Sequence, residues 1–418
     1  MQDNEKKPAL RFKGFTDPWE QRKLGDAFER VVRKNTNNES RLPLTISAQD
    51  GLVDQITYFN NRVASRDVSN YYLVYNGEFA YNKSTSDGYP FGAVKRLDWY
   101  EKGVLSTLYI VFALKHPEKD DSDFMTVFYD TDRWHRGVAE RAAEGARNHG
   151  LLNISADDFF DIDTTMPEDK VEQEKIGRLL KKLDTLITLH QRKYERLVNI
   201  KKSMLDKMFP QNGASVPEIR VKGFTDPWEQ RKLGEICDFI TKGATPTTYG
   251  FSWQPDGVPF FRNDSIKDNV FVFGEFSYIS EAANEVLKRS EVHGNDILIA
   301  ITGDIGKVGI IPDTVEKANI NQHIARVRIR KEALPYFVYQ YLASDDTQKE
   351  YQKIKTGLSM PQLSLEQVRD IVVKIPEFNE QGKIADCLRR IDTLITLHQR
   401  KLEKLQNIKK SCLEKMFV

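Results

Sequence analysis

The sequence predicts an α+β fold with a pseudo-twofold internal repeat, in which two homologous mixed α/β domains are separated by two long helices forming an antiparallel coiled coil. Three observations predict it. Residues 11–25 return as 220–234 with Val221 in place of Phe12, and residues 184–193 return letter for letter as 392–401. Apolar residues also recur at steps of four and three along 176–208 and 384–416. The copies are displaced by 209 and 208 residues, so the halves are nearly equal in length.

The repeats divide the chain into five segments. Between the copies the sequence differs strongly, and the stretch from Pro210 to Pro217 has the composition of a linker. The predicted segments are a first domain with an N-terminal frame (1–166), a first long helix (167–210), a linker (211–219), a second domain with the repeated frame (220–376) and a second long helix (377–418).

The two regions between the repeats are themselves distantly related. Residues 77–84 align with 295–302, 91–94 with 305–308, and 155–162 with 364–371. β-branched and aromatic runs predict strands at 71–75, 107–114, 296–301 and 324–329. A kept framework with varied loops is typical of recognition modules.

The two long helical segments carry the heptad pattern of a coiled coil. A histidine and a lysine interrupt the apolar stripe at matching places, as His190 and Lys201 in the first copy and His398 and Lys409 in the second. The residues predicted to pair the helices are Leu180, Leu183, Ile187 and Leu197 in the first helix and Leu388, Ile391, Ile395 and Leu405 in the second.

The length of these helices suggests a spacer. At about 1.5 Å per residue, the segment 175–209 would form a rod of roughly 50 Å. The pattern alone also fits a helical hairpin that only adds stability, but the repetition of both ends favours the spacer. A capping box at 165–168 predicts the start of the first helix, and Asn379 is predicted to cap the second.

Composition is that of an ordinary soluble protein, with 29% charged and 40% hydrophobic residues. No apolar run approaches the roughly 18 residues that a membrane span needs. The N-terminal residues 1–7 are not a signal peptide, and Cys237, Cys387 and Cys412 form no disulfide framework. We therefore expect a cytoplasmic protein with no membrane contact.

The net charge of +1 is low for a protein that grips nucleic acid alone. Three interpretations stay open at this point. The protein does not bind nucleic acid, its basic face is balanced elsewhere, or partner subunits supply much of the phosphate contact.

Motifs for catalysis are lacking. The segment 303–308 is too short for a P-loop, and 312–317 has the wrong spacing for a nuclease motif. No His-Glu-x-x-His or Cys-x-x-Cys sequence occurs, so no metal site is predicted. We expect neither catalytic residues nor a cofactor in this chain.

The ordered, duplicated motifs resemble a known family. Each variable domain follows a Gly-Phe…Trp…Leu-Gly frame and precedes a helix that starts with Glu-Gln-x-Lys-Ile, at 172–176 and at 380–384. The second domain adds family phrases at 243–246, 303–308, 319–323 and 362–364. Together they resemble the DNA specificity subunit of type I restriction–modification systems over essentially the whole chain.

This resemblance implies a division of labour. Each variable domain would be a target recognition domain that reads one half of a split, asymmetric sequence in double-stranded DNA. The coiled coil would set the gap and dock two methyltransferase subunits, and two restriction and translocase subunits would join one copy of this chain. S-adenosylmethionine, ATP and Mg²⁺ would be held by those partners, which would methylate adenine at N6 or restrict DNA. A rod of roughly 50 Å corresponds to about one and a half turns of B-DNA.

DNA contacts are expected from polar loop residues, because Arg reads guanine and Asn or Gln reads adenine. Candidates in the first domain are Asn82, Lys83, Ser84, Lys95, Arg96, Arg133, Arg136 and Arg141. Candidates in the second are Lys242, Arg262, Asn263, Thr302, Lys307, Asn321, Gln322, Lys355, Ser359 and Gln362. Any one of them could instead be solvated or satisfy a turn. Trp19 and Trp228 are predicted to be packing anchors, because base readers should differ between domains with different targets.

Two other functions stay open. A non-enzymatic coiled-coil adaptor with two protein-recognition heads would show no salt-dependent affinity for duplex DNA. An enzyme with an unrecognised site is disfavoured, because no acid–base or metal constellation recurs at aligned positions.

Overall fold

A computed structural model describes residues 7–47, 50–142, 150–274, 276–357 and 361–418. The chain forms two compact units. The first comprises residues 1–191 and 400–418, and the second comprises 192–399. Each unit is mixed α/β, and the division between them falls within both long helices.

The first unit is built mostly from short strands. The strands are β1 (Glu20–Lys23), β2 (Phe28–Arg30), β3 (Leu44–Ser47), β4 (Gly51–Asp54), β5 (Tyr72–Tyr75), β6 (Phe79–Asn82), β7 (Ala93–Arg96), β8 (Lys102–Leu105), β9 (Ile110–Leu114) and β10 (Asp163–Met166). The helices are α1 (Leu24–Ala27), α2 (Gln55–Phe59), α3 (Ser122–Phe128), α4 (His135–Arg141), α5 (Ala156–Phe160) and the start of α6 (Lys170–Met208).

A four-stranded antiparallel sheet of order β2-β9-β6-β7 forms the centre of the first unit. Its inner face carries Phe28, Phe79 and Phe112, which pack edge-to-face or stacked with ring centroids 5.0–5.6 Å apart. Each ring is buried. Such aromatic pairs contribute about 0.5–1.5 kcal/mol beyond the burial of their area, so the sheet is held by its side chains as well as its ladder.

The second unit contains more strands and longer helices. The strands are β11 (Glu229–Lys232), β12 (Cys237–Lys242), β13 (Val258–Phe261), β14 (Ile266–Lys267), β15 (Val270–Phe271), β16 (Ser277–Ile279), β17 (Glu291–Val292), β18 (Ile297–Ala300), β19 (Val308–Ile310), β20 (Ala318–Ile320), β21 (Ile324–Ile329) and β22 (Val372–Ile375). The helices are α7 (Glu281–Val286), α8 (Pro335–Leu342), α9 (Asp345–Ile354), α10 (Leu365–Asp370) and the start of α11 (Phe378–Lys415).

Two four-stranded sheets organise the second unit, with orders β12-β21-β18-β19 and β16-β13-β20-β17. In the first of these, β18 lies where β6 lies in the β2-β9-β6-β7 sheet, as the alignment of 77–84 with 295–302 predicts. All four predicted strands are confirmed as β5, β9, β18 and β21. Only β21 keeps both predicted ends, and the other three strands are shorter than predicted.

In each unit, the strand of the repeated frame pairs with the last strand of the variable region. Strand β1 pairs antiparallel with β10, and β11 pairs with β22 in the same register. Trp19 and Trp228, just before these strands, are 1% and 2% exposed. Trp19 packs edge-on against Phe124, and Trp228 against Phe337. Both tryptophans are thus packing anchors, and that prediction is confirmed.

The predicted starts of the long helices are wrong. Thr165 and Met166 lie in β10, and α6 begins only at Lys170, after Asp169 accepts a hydrogen bond from the Val171 amide at 2.8 Å. Pairing with β1 holds the predicted capping box extended, so the helix begins later. In the second copy Asn379 lies inside α11, and the Glu377 carbonyl accepts from the Glu380 and Gln381 amides.

A buried carboxylate joins the frame to each long helix. Arg11 donates from two nitrogens to Glu172 at 2.6 and 2.7 Å, and Arg220 donates to Glu380 at 2.9 Å twice. Glu172 and Glu380 are 1% and 0% exposed. Each arginine also donates to a frame carbonyl, that of Asp17 or Asp226. The frame, the helix start and the closing strand are therefore fixed together in both units.

Within each unit, the beginning of one long helix contacts the end of the other. In the first unit Leu180 of α6 shares a core with Cys412 and Met416 of α11. In the second, Met208 of α6 shares a core with Ile384 and Leu388 of α11. Of the predicted pairing residues, Leu180, Leu183 and Leu388 are buried, while Ile187, Leu197, Ile391, Ile395 and Leu405 are half-buried.

Each lysine that interrupts the apolar stripe has a carboxylate partner. Lys409 lies 2.6 Å from Asp184 in the first unit, and Lys201 lies 2.8 Å from Asp392 in the second. Burial acts to lower the pKa of Lys409, but the charges of Asp130 and Asp184 outweigh it and raise the pKa. The interruptions therefore form equivalent ion pairs between the helices, which favour one register over others.

We predict that Arg220→Met lowers the free energy of unfolding by about 3–5 kcal/mol, because it leaves the buried Glu380 carboxylate without a partner. Arg231→Met is the control, since Arg231 pairs with the exposed Glu235 and should cost at most about 1 kcal/mol. Urea unfolding followed by circular dichroism measures both. Equal losses would contradict the role assigned to the buried pair.

Candidate nucleic-acid interface

Several strands of the second unit end at one edge, and their loops meet there. Strand β13 leads into Arg262 and Asn263, and β20 leads into Asn321 and Gln322. Because Phe261 pairs with Ile320 in parallel register, these two loops leave side by side. Strand β18 ends next to them, and the Asn263 Nδ2 donates to the Thr302 carbonyl at 3.0 Å.

Two further segments complete this edge. The Thr245 hydroxyl donates to the Gln322 side chain at 2.6 Å, and Thr302 forms an antiparallel bridge with Gln362. We refer to the group as the strand-end cluster; its members are Lys242, Thr245, Arg262, Asn263, Thr302, Asn321, Gln322 and Gln362. The structure thus brings together seven of the residues predicted from sequence, and adds Thr245.

Glycine allows the close approach that builds the cluster. Gly243 follows β12, and a Cβ at this position would collide with the carbonyl oxygens of Ile320 and Asn321. Glycine, with no Cβ, lets the backbone pass. The Asn321 amide in turn donates to the Phe261 carbonyl at 3.1 Å.

The cluster presents polar and basic side chains to solvent. Lys242, Arg262, Gln322 and Gln362 are exposed, while Asn263, Thr302 and Asn321 are half-buried. Guanidinium and amide groups are the side chains that read base edges, and lysine is suited to phosphate contact. The exposed rim therefore has the donors and acceptors that a DNA-reading surface needs.

Two other predicted DNA contacts of the second unit, Lys307 and Lys355, interact with residues three positions earlier in the chain. The Lys307 Nζ lies 2.7 Å from Asp304, and its hydrogen bond lowers the pKa of that carboxyl. The Lys355 Nζ donates to Gln352 at 2.8 Å. Ser359 lies outside the described residues.

The first unit repeats the backbone of this edge. The Leu152 amide donates to the Lys83 carbonyl at 3.0 Å, as Leu363 donates to Ile301 at 2.9 Å. Ser84 forms an antiparallel bridge with Leu151, as Thr302 does with Gln362. Asn82, Lys83 and Ser84 therefore stand at the position of the strand-end cluster, although no sequence similarity marks the returning segment.

The remaining candidates of the first unit lie elsewhere. Lys95 and Arg96 are at the far end of β7 from Asn82, which pairs with Ala93. Lys95 lies 2.9 Å from Asp130. Arg133, Arg136 and Arg141 bond respectively to the Glu414 carbonyl, to Glu140 and to Asp161.

Arg96 is held by carboxylates. It lies 2.6 Å from Asp98 and 2.8 Å from Asp123. Burial acts to lower the pKa of Arg96, but the charges and hydrogen bonds of these two aspartates outweigh it and raise the pKa. Its donors are occupied within the fold.

Three residues at this edge, Trp253, Ser277 and Thr245, were not among the predicted DNA contacts. Trp253 is 38% exposed beside the cluster, and its ring lies 4.8 Å from the Arg262 guanidinium. The sequence signal that could have identified Trp253 is a tryptophan shortly before a Pro-Asp-Gly turn.

Over the described ranges, no group of three or more His, Cys, Asp or Glu residues could hold a metal ion. No helix among the same residues is long and apolar enough to cross a membrane.

We predict that Arg96→Met lowers the free energy of unfolding by about 1–3 kcal/mol, because it removes the charge-assisted hydrogen bonds of the largely buried Arg96 guanidinium to Asp98 and Asp123. DNA sequence preference should not change. Thermal unfolding and a binding assay on duplex DNA measure the two effects. Normal stability with altered sequence preference would show instead that Arg96 reads DNA.

Several known proteins are similar to this chain in sequence. Residues 225–407 match the family model described as the type I restriction modification DNA specificity domain. The chain is 24% identical over 318 residues to the type I restriction enzyme MjaVIII specificity subunit of Methanocaldococcus jannaschii, covering 74% of this chain and 72% of that protein. It is also 24% identical over 413 residues to the putative MjaX specificity subunit of that organism, covering 94% and 91%.

A solved structure supports the fold. The S subunit of a type I restriction–modification system from M. genitalium superposes with a TM-score of 0.58 at 16% identity, covering 99% of both chains. The predicted resemblance is confirmed by these matches. Residues 225–407 therefore carry a type I restriction modification DNA specificity domain, and the chain as a whole is similar to specificity subunits of type I restriction–modification systems.

Proposed function

We propose that this chain is the non-catalytic, sequence-reading subunit of a type I restriction–modification complex. It reads a bipartite, asymmetric target in double-stranded DNA, one half-site per target recognition domain. Partner subunits then methylate adenine at N6 or restrict the DNA with ATP. The main support for this proposal is a feature that occurs in both units. The same backbone hydrogen bonds hold Asn82–Ser84 at the end of β6 in the first unit and Ala300–Thr302 at the end of β18 in the second.

The side chains on this repeated backbone differ between the units. Asn82 and Lys83 of the first unit correspond to Ala300 and Ile301 of the second. The loop between β6 and β7 is also longer than that between β18 and β19. A fixed backbone with different side chains and loops is how two homologous domains would read different half-sites.

The long helices supply the spacing between half-sites. They contain 39 and 38 residues, and an ion pair joins them in each unit. We infer that α6 and α11 pair as an antiparallel coiled coil. Its length would then set the number of base pairs left unread between the two half-sites.

Repeated exposed side chains support docking of the same partner twice. Lys13 and Lys222 are exposed at equivalent frame positions, and Leu189 and Leu397 are each 45% exposed on the helices. A leucine gains nothing from solvent exposure, so its presence at both equivalent positions favours a covered surface. We infer two methyltransferase subunits and two restriction subunits per copy of this chain. S-adenosylmethionine, ATP and Mg²⁺ would be held by those partners.

We predict that exchanging residues 235–376 for the corresponding region of another family member changes only one half of the methylated sequence. The reason is that this segment contains the whole strand-end cluster of the second unit and none of the first. Methylation mapping of genomic DNA measures the outcome. A change in both half-sites would contradict modular reading.

We predict that Leu189→Lys and Leu397→Lys each remove one methyltransferase subunit from the complex, and that the double variant removes both. A charged side chain would be desolvated in the covered surface. Native mass spectrometry counts the subunits. Thr188→Lys, at the neighbouring exposed position of α6, is the control and should assemble normally. Full assembly of the leucine variants would exclude this docking surface.

A further inference from the structure

Arg262 is held in a fixed orientation by two neutral neighbours. Its guanidinium carbon lies 4.8 Å from the centre of the Trp253 ring. One terminal nitrogen donates to the Ser277 hydroxyl at 2.9 Å. Trp253 is itself supported edge-on by Phe260, with ring centroids 5.1 Å apart. A ring below and a hydroxyl at one side fix the plane of the guanidinium, which remains exposed.

Three other arginines of the second unit are held by carboxylates. Arg220 pairs with Glu380, Arg328 with Asp296, and Arg330 with Asp238. Among the residues that the structure describes, no carboxylate forms an ion pair with Arg262. A carboxylate would cancel the charge and occupy the donors, whereas tryptophan and serine do neither. Arg262 is thus positioned while most of its five N–H donors stay available.

The position of Arg262 points to a base. It follows β13 directly, just as Asn321 follows β20, and the last residues of these two parallel strands, Phe261 and Ile320, are paired. Gln322, an exposed amide, comes next in that loop. An oriented guanidinium beside amide side chains is suited to the major groove, where the guanine edge presents two acceptors, O6 and N7.

We propose that Arg262 reads a guanine of the second half-site through two hydrogen bonds to O6 and N7, with Trp253 and Ser277 as positioning residues. This inference rests on the proposed function. Arg262→Lys keeps the positive charge but loses the planar fork, so it should reduce discrimination for guanine at one position by about tenfold or more. Trp253→Ala should reduce discrimination at the same position by a smaller factor.

The test uses the assembled complex with its methyltransferase subunits and a pool of duplexes randomised across the second half-site. Methylated products are sequenced for the wild type, Arg262→Lys and Trp253→Ala. Arg390→Lys, at an exposed arginine of α11, is the control and should leave the sequence preference unchanged. The expected result is one relaxed guanine position in the second half-site and an unchanged first half-site.

A change in the DNA provides a second test, whose main readout uses only the wild-type protein. Replacing guanines of the second half-site one at a time by 7-deazaguanine removes the N7 acceptor. One replacement should weaken binding by the wild type at least several-fold and weaken binding by Arg262→Lys less, because lysine lacks the planar fork that contacts both acceptors.

The outcomes separate this inference from the proposed function. A wild-type complex that methylates no split sequence would overturn both. A wild type that reads a split target, with Arg262→Lys keeping full discrimination or losing affinity equally for all sequences, would overturn only the guanine assignment. The uniform loss would identify Arg262 as a phosphate contact.

Discussion

The rest of each unit depends on the ion pair between a frame arginine and a buried glutamate at the start of a long helix. Arg11 with Glu172, and Arg220 with Glu380, join residues 161 and 160 positions apart. The intervening chain must therefore leave the frame and return to it, whatever loops it carries. Since each carboxylate is buried, a chain that failed to return would leave it unpaired at a cost of several kcal/mol.

This constraint explains how recognition can vary while architecture does not. The β1–β10 and β11–β22 pairs have the same register, and the backbone ladders beyond Lys83 and Ile301 match. Side chains outside these contacts are free to change, because few fold interactions depend on them. The chemistry of the strand-end cluster, including the neutral support of Arg262, could therefore be altered in one unit without affecting the other.

The sequence predicted part of the framework, because periodicity and duplication can be read from the sequence alone. It placed four strands and both long helices, and it placed Trp19 and Trp228 in the core. It failed at the helix starts, because β10 pairs with β1 and that long-range contact overrides the capping pattern at 165–168. Charge alone could not separate Arg96, held by Asp98 and Asp123, from Arg262, which rests on Trp253. Such partners are set by tertiary structure.

The central claim is that one chain carries two readers for two different half-sites. Base-resolved methylation mapping of DNA from cells that contain the methyltransferase partner, with and without this chain, tests it most directly. If each unit reads one half-site, N6-methyladenine will occur within a single split, asymmetric motif and will disappear when the chain is removed. Methylation that does not depend on the chain, in cells where the complex is shown to assemble, would contradict DNA reading and favour an adaptor that binds proteins.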